Sequence, residues 1–178
     1  MKLQKRTITI SSVVILTIFL FYYRARIVTR LWHWQHGNTV TVGDYQLPVP
    51  ANWLVHHQVS GLAMLTQTYV ADERRGGSLS PPTIIVITLS QPTADLDFWE
   101  SEERRHLTQS GLGNADSRTI YLAHETVKCI GGNRIKVPGA ALYSIECRST
   151  NRLAIMFTGE REDAEIFYEL VSRVHRME

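Results

Sequence analysis

Cysteine is scarce: Cys129 and Cys147 are the only two in 178 residues. No CxxC pair can form from them, and neither lies near the apolar N-terminal run, so no lipoprotein-type acceptor is present. HExxH, the GxSxG elbow and the Walker sequence are missing too, which removes the metalloprotease, hydrolase and nucleotide-triphosphatase signatures. No Asp or Glu occurs before residue 38. There is no internal repeat and no low-complexity tract.

What is present begins at the N-terminus. Lys2, Lys5 and Arg6 precede an uncharged stretch, residues 8–23, which Arg24, Arg26 and Arg30 close. As a helix, residues 7–23 would span roughly 25 Å, at the short end for a hydrocarbon core of about 30 Å. Arg6 and Arg24 can snorkel outward, and Tyr22 and Tyr23 suit an aromatic belt. No small-x-small site follows, so the pattern predicts an uncleaved anchor rather than a signal peptide. Cations number three on either side. The free amine and the difficulty of translocating a short cationic tail favour a cytoplasmic N-terminus and an extracytoplasmic C-terminal part.

Beyond the run, Ile27, Leu31 and Trp34 recur at i, i+4 and i+7, and Arg26, Arg30 and His33 follow one residue out of phase. The spacing predicts an amphipathic helix along the membrane interface, ended by Gly37-Asn38. Arg24, Arg26, Arg30, Trp32 and Trp34 are its candidate interface residues, and the lipid bilayer is the partner they imply.

Six of the nineteen Lys and Arg lie in this first part, which leaves thirteen cations against seventeen anions afterwards. A nucleic-acid binder would carry its basic patch in the folded part, so that function is excluded on charge. Residues 1–37 read as tail, anchor and juxtamembrane helix, and residues 38–178 as one domain with room for one core.

Within the domain, residues 39–49 alternate with a turn at Gly43-Asp44, and 53–57 and 62–70 read as strands. Residues 83–89, TIIVITL, form a continuous apolar run that predicts a central strand covered on both faces. A helix opens at Pro92-Thr93, with Leu96, Trp99 and Leu107 on its apolar face and Arg104, Arg105 and His106 in its last turn. Strands return at 117–123, 125–130, 140–148 and 153–158, with Gly131-Gly132-Asn133, Pro138-Gly139 and residues 149–152 as turns. A final helix over 161–176 carries the stripe Ile166, Phe167, Leu170, Val171 and Val174. Residues 71–82 read as a solvated loop, and Ser110 to Asn114 as a helix stop.

Cys129 and Cys147 fall on neighbouring strands of one hairpin, and in an oxidising compartment they are expected to form a disulfide. A two-residue turn at Pro138-Gly139 would set Cys129 opposite Arg148. A three-residue loop, or a compensating bulge near Gly131-Gly132, would set it opposite Cys147.

Runs of strands interrupted by single helices predict an α+β fold: after the transmembrane helix, an antiparallel sheet with two packed helices. This order, with the stretch Gly43-Asp44-Tyr45-Gln46-Leu47-Pro48-Val49-Pro50-Ala51-Asn52-Trp53, resembles the PsbP/Mog/DcrB-like superfamily. The resemblance implies that fold and a non-enzymatic accessory or binding role.

No candidate catalytic set emerges. His33 and His36, at i, i+3, lack the third ligand a zinc site needs, and no metal or cofactor is expected. The acid pairs Asp95/Asp97 and Glu160/Glu162 sit at helix starts, where the dipole accounts for them. The expected function is a single-pass envelope accessory protein with a protein partner, for which Trp53, His56, His57 and the 71–82 loop are the candidate surface. The alternatives are a domain that takes a small apolar or lipid ligand between helix and sheet, and an enzyme without a recognisable motif.

Overall fold

A computed structural model describes residues 17, 23–24, 26–67, 82–109, 115–137 and 140–177, without the side chains of 134–137 and 140–141. The expected anchor lies almost wholly outside these residues, as do residues 71–81, the Ser110–Asn114 stop and the Pro138-Gly139 turn. Among the described residues no helix is long and apolar enough to cross a membrane.

The strands are β1 (Thr39–Val42), β2 (Tyr45–Pro48), β3 (Trp53–Val59), β4 (Leu62–Gln67), β5 (Thr83–Thr88), β6 (Asp116–Tyr121), β7 (Thr126–Val137), β8 (Ala140–Ser149), β9 (Leu153–Gly159) and β10 (His175–Arg176). The helices are α1 (residues 26–36), α2 (Leu96–Gln109) and α3 (Ala164–Ser172), the last entered through a 3-10 turn at Arg161–Asp163. The fold is α+β and every described strand pair is antiparallel. A seven-stranded sheet runs β3-β4-β5-β9-β8-β7-β6, and a three-stranded sheet runs β1-β2-β10.

The core lies on one face of the large sheet. Trp53, Leu65, Ile84, Ile145, Ile155 and Phe157 point from it against Tyr45 and Leu47 of β2 and Phe167 of α3, all fully buried. The Phe157 and Phe167 rings meet at 5.4 Å. At the β1–β2 turn Gly43 has φ +58°, and a Cβ there would overlap the Thr88 hydroxyl, so the turn is closed to other residues.

Several elements differ from what the sequence predicts. α2 opens at Asp95 rather than Pro92-Thr93, because the Asp95 carboxylate accepts the backbone N–H groups of Asp97 and Phe98 at 2.9 and 2.8 Å. The terminal helix stops at Ser172, since His175 and Arg176 leave it to pair with Gln46 and Tyr45 of β2. Gly131-Gly132-Asn133 is no turn but the middle of β7. Gly131 passes under the Tyr143 hydroxyl, and a Cβ on Gly132 would lie 3.4 Å from Leu107 of α2. These glycines mark close approach within a strand.

The hairpin register combines two of the expected possibilities. Val137 does pair with Ala140, yet a bulge between Asn133 and Ile135 restores Cys129 opposite Cys147. The two are joined in a disulfide, with Cα atoms 3.9 Å apart and both side chains fully buried.

Candidate functional site

Register assigns each residue of the large sheet to a face, because directly opposed residues point the same way. On the face away from the core, one row runs His57, Met64, Ile85, Met156, Glu146 and Ile130 from β3 to β7. The next runs Val59, Leu62, Ile87, Ala154, Arg148 and Lys128. α2 covers only the β6–β8 end: its first turn meets Lys128 and its last turn meets Gly132. A seven-stranded sheet is about 29 Å wide and a helix about 10 Å, so among the described residues a single helix leaves half the face uncovered.

The uncovered half is apolar. Leu62, Met64, Ile85, Ile87 and Met156 are half-buried, and Val59 is 51% exposed. The run 83–89 therefore does not lie in a doubly covered strand. Ile84 and Val86 enter the core, while Ile85 and Ile87 face outward. Two of the residues are methionines, whose flexible thioethers adapt to varied partners. Arg148 bounds the patch on the α2 side: its Nε–H donates to Glu146 at 3.0 Å and its guanidinium lies 5.5 Å from the Trp99 ring.

His56 and His57, both exposed, edge the patch on β3. A bulge between Val55 and His57 turns His57 onto the uncovered face. Trp53 does not join them. It is 1% exposed, on the core face, so it cannot present itself to a partner. Sequence reasoning missed Leu62, Met64, Ile85, Ile87 and Met156; the available signal was the number of strands against only one helix between them.

Beside the patch, Lys128 ties α2 to the sheet. Its Nζ donates to Asp97, and to Glu100 at 2.9 Å, while Ser117 and Arg104 also donate to Glu100, at 2.7 and 3.2 Å. The Lys128 and Ser117 hydrogen bonds hold the Glu100 carboxyl at about 2, below its ordinary 4.5. The same carboxylates raise the pKa of Lys128. A carboxylate depressed in the folded state stabilises the fold fully above 4.5, and that stability is lost as pH falls from 4.5 through about 2. Lys128→Met is therefore expected to cost on the order of 2 kcal/mol at pH 7 and to flatten the acid limb of stability. Urea unfolding at pH 7, 4 and 2.5 measures both; an acid limb as steep as that of the unaltered protein would refute the assignment.

On the core side, Tyr143 and Tyr168 line a second polar cluster. The Tyr143 hydroxyl donates to Asp116 at 3.2 Å, Arg161 pairs with Asp116 at 2.8 Å, and Arg118 lies 4.6 Å from the Tyr168 ring. Burial, more than any neighbouring charge, raises both phenols, so they serve as hydrogen-bonding groups rather than as bases. Among the described residues no three His, Cys, Asp or Glu converge as metal ligands would.

α1 is seated on the domain. Thr29 is 2% exposed and Trp32, expected at the membrane interface, packs instead against the core. His33 Nε2 faces the carbonyl oxygens of Pro50 and Trp53 at 3.1 and 2.9 Å, so it carries a proton and donates to both. Nδ1 lies 3.1 Å from Gly37 O and 2.9 Å from Asn38 Oδ1. His36 stacks on Trp32 at 5.0 Å. Both histidines are thus engaged in the helix junction. Arg24, Arg26, Arg30 and Trp34 are exposed.

No protein-family model and no curated protein matches the chain. Among solved structures, the Ran-binding protein Mog1p of Saccharomyces cerevisiae is similar at 13% identity and a TM-score of 0.46, over 79% of this chain and 96% of that one.

Proposed function

We propose that the chain is a single-pass, membrane-anchored, non-enzymatic accessory protein of the cell envelope. Its N-terminus lies in the cytoplasm and its α+β domain outside, where the domain binds another protein through the uncovered half of the large sheet. Membership of the PsbP/Mog/DcrB-like superfamily is part of this reading; the element order and the Gly43–Trp53 stretch support it.

The observation that carries the proposal is the half-buried apolar patch of Leu62, Met64, Ile85, Ile87 and Met156 beside α2. A soluble face would place polar residues at such positions, and a patch of this kind marks an interaction site. The uncharged run at residues 8–23 supports the membrane assignment. The buried disulfide supports an oxidising compartment for the domain.

The test has two parts. Carbonate extraction and C-terminal reporter fusions, one active outside and one inside the cytoplasm, read anchoring and orientation. A photocrosslinker at Leu62 of the full chain is expected to trap a defined protein that one at Ser101 does not, and Met64→Asp is expected to abolish the adduct while the far-UV spectrum is retained. Extraction at high pH would sink the anchor; a Leu62 adduct insensitive to Met64→Asp would sink the binding face.

A further inference from the structure

α1 is amphipathic in a way that its seat on the domain does not use. At 100° per residue, Thr29, Trp32 and His33 define the side turned to the domain. Thr29 and Trp32 are packed there, and His33 donates to Pro50 and Trp53. The opposite side carries Ile27, Leu31 and Trp34, with Val28 at its margin. Leu31 is 52% exposed, Val28 52% and Trp34 82%, the largest exposure among the large hydrophobics of the described residues. A helix docked along one side and apolar along the other has a second surface to meet.

We infer that this outer face of α1 lies in the headgroup region of the bilayer, with Trp34 and Leu31 inserted among the lipids, so that the domain rests on the membrane at one fixed orientation. The inference rests on the anchor proposed above and adds to it the residues that touch lipid. Three observations choose a bilayer over other occupants. Tyr23, which ends the uncharged run, and Arg24 are themselves helical, so a chain leaving a membrane surface there would pass directly into α1. Arg26 and Arg30 are exposed on the helix, and no acid lies before residue 38, which suits anionic headgroups. A second copy would bring the same cations against themselves if α1 met α1. The helix cannot turn independently of the domain, because His33 and Trp32 clamp it from the other side. Interfacial tryptophan at the rim of such a helix is where its amphipathic ring is most stable.

The experiment uses the full-length protein with its disulfide intact, in which the two native cysteines leave no free thiol. Leu31→Cys, Trp34→Cys and Ser101→Cys are each labelled with an environment-sensitive fluorophore and reconstituted into phosphatidylcholine–phosphatidylglycerol vesicles containing lipids with a quencher near the headgroup or deep in the acyl chain. The first two labels are expected to shift to the blue and lose most of their emission to the shallow quencher, less to the deep one, while the Ser101 label is unaffected. Vesicle flotation is read on the same samples. Floating protein whose residue 31 and 34 labels are quenched no more than the Ser101 label overturns the interfacial seat and leaves the anchor standing. Protein that fails to float overturns both. A blue shift that grows with protein concentration, without lipid quenching, assigns the face to a second copy and likewise overturns the inference.

Discussion

Trp53→Ala is expected to destabilise the domain by about 3–5 kcal/mol, whereas Trp53→Phe costs less than about 1.5 kcal/mol. The indole is among the largest fully buried side chains and sits at the start of β3, opposite Gln67 of β4. Its Nε1–H is buried without an acceptor, so the ring stabilises by volume and contact while its one polar group adds a desolvation cost. Phenylalanine keeps most of the volume and removes that donor; alanine leaves a cavity. The backbone matters here as well. The Trp53 carbonyl accepts the His33 Nε2–H, so collapse around residue 53 also loosens α1. Urea unfolding followed by far-UV circular dichroism measures the difference. If Phe proves as costly as Ala, the indole N–H makes a hydrogen bond in solution and the packing account fails.

That residue shows how far the sequence could be read. The stretch from Tyr45 to Trp53 is legible as strand, proline turn and strand, and the structure has β2 and β3 there. Whether Trp53 faced a partner or the core depended on parity along β3, which its neighbours do not reveal. β5 is the clearest failure. An apolar run such as TIIVITL reads the same whether both faces are covered or one is left for a partner. Periodicity cannot distinguish a core from a docking surface; only the topology shows that one helix is too narrow for seven strands. Gly131 and Gly132 misled in the opposite sense, because glycine signals a turn and a close tertiary approach equally well. The end of α3 was invisible since Val174 keeps the helical stripe, and the partner that draws His175 and Arg176 into a strand lies far away, at Tyr45 and Gln46. The α2 cap was readable in kind but misplaced: Asp95 sits three residues beyond Pro92, and either residue type opens helices.

Removing the Cys129–Cys147 link is expected to cost about 3 kcal/mol, because its sequence separation is 18 and that loop would otherwise be free in the unfolded chain. For a domain of this size the loss amounts to roughly 6–12 °C in Tm. The bridge crosses β7 and β8 directly, and Cys147 in turn faces Ile155 of β9, within the best-buried part of the sheet. Two contributions must therefore be separated. Cys129→Ala with Cys147→Ala removes both the cross-link and two buried sulfurs, whereas reduction of the unaltered protein removes only the cross-link and leaves two thiols that pack as small hydrophobes. The reduced protein should lie between the oxidised protein and the double variant in stability. Full burial of both sulfurs means that reductant acts on molecules that have opened, so reduction under native conditions should be slow and accelerate with urea. Thiol titration of the protein denatured without reductant should find none. Two free thiols in protein purified from its own membrane would remove the cross-link, the expected loss in Tm, and the chemical support for an oxidising compartment together, because all three rest on the same bond.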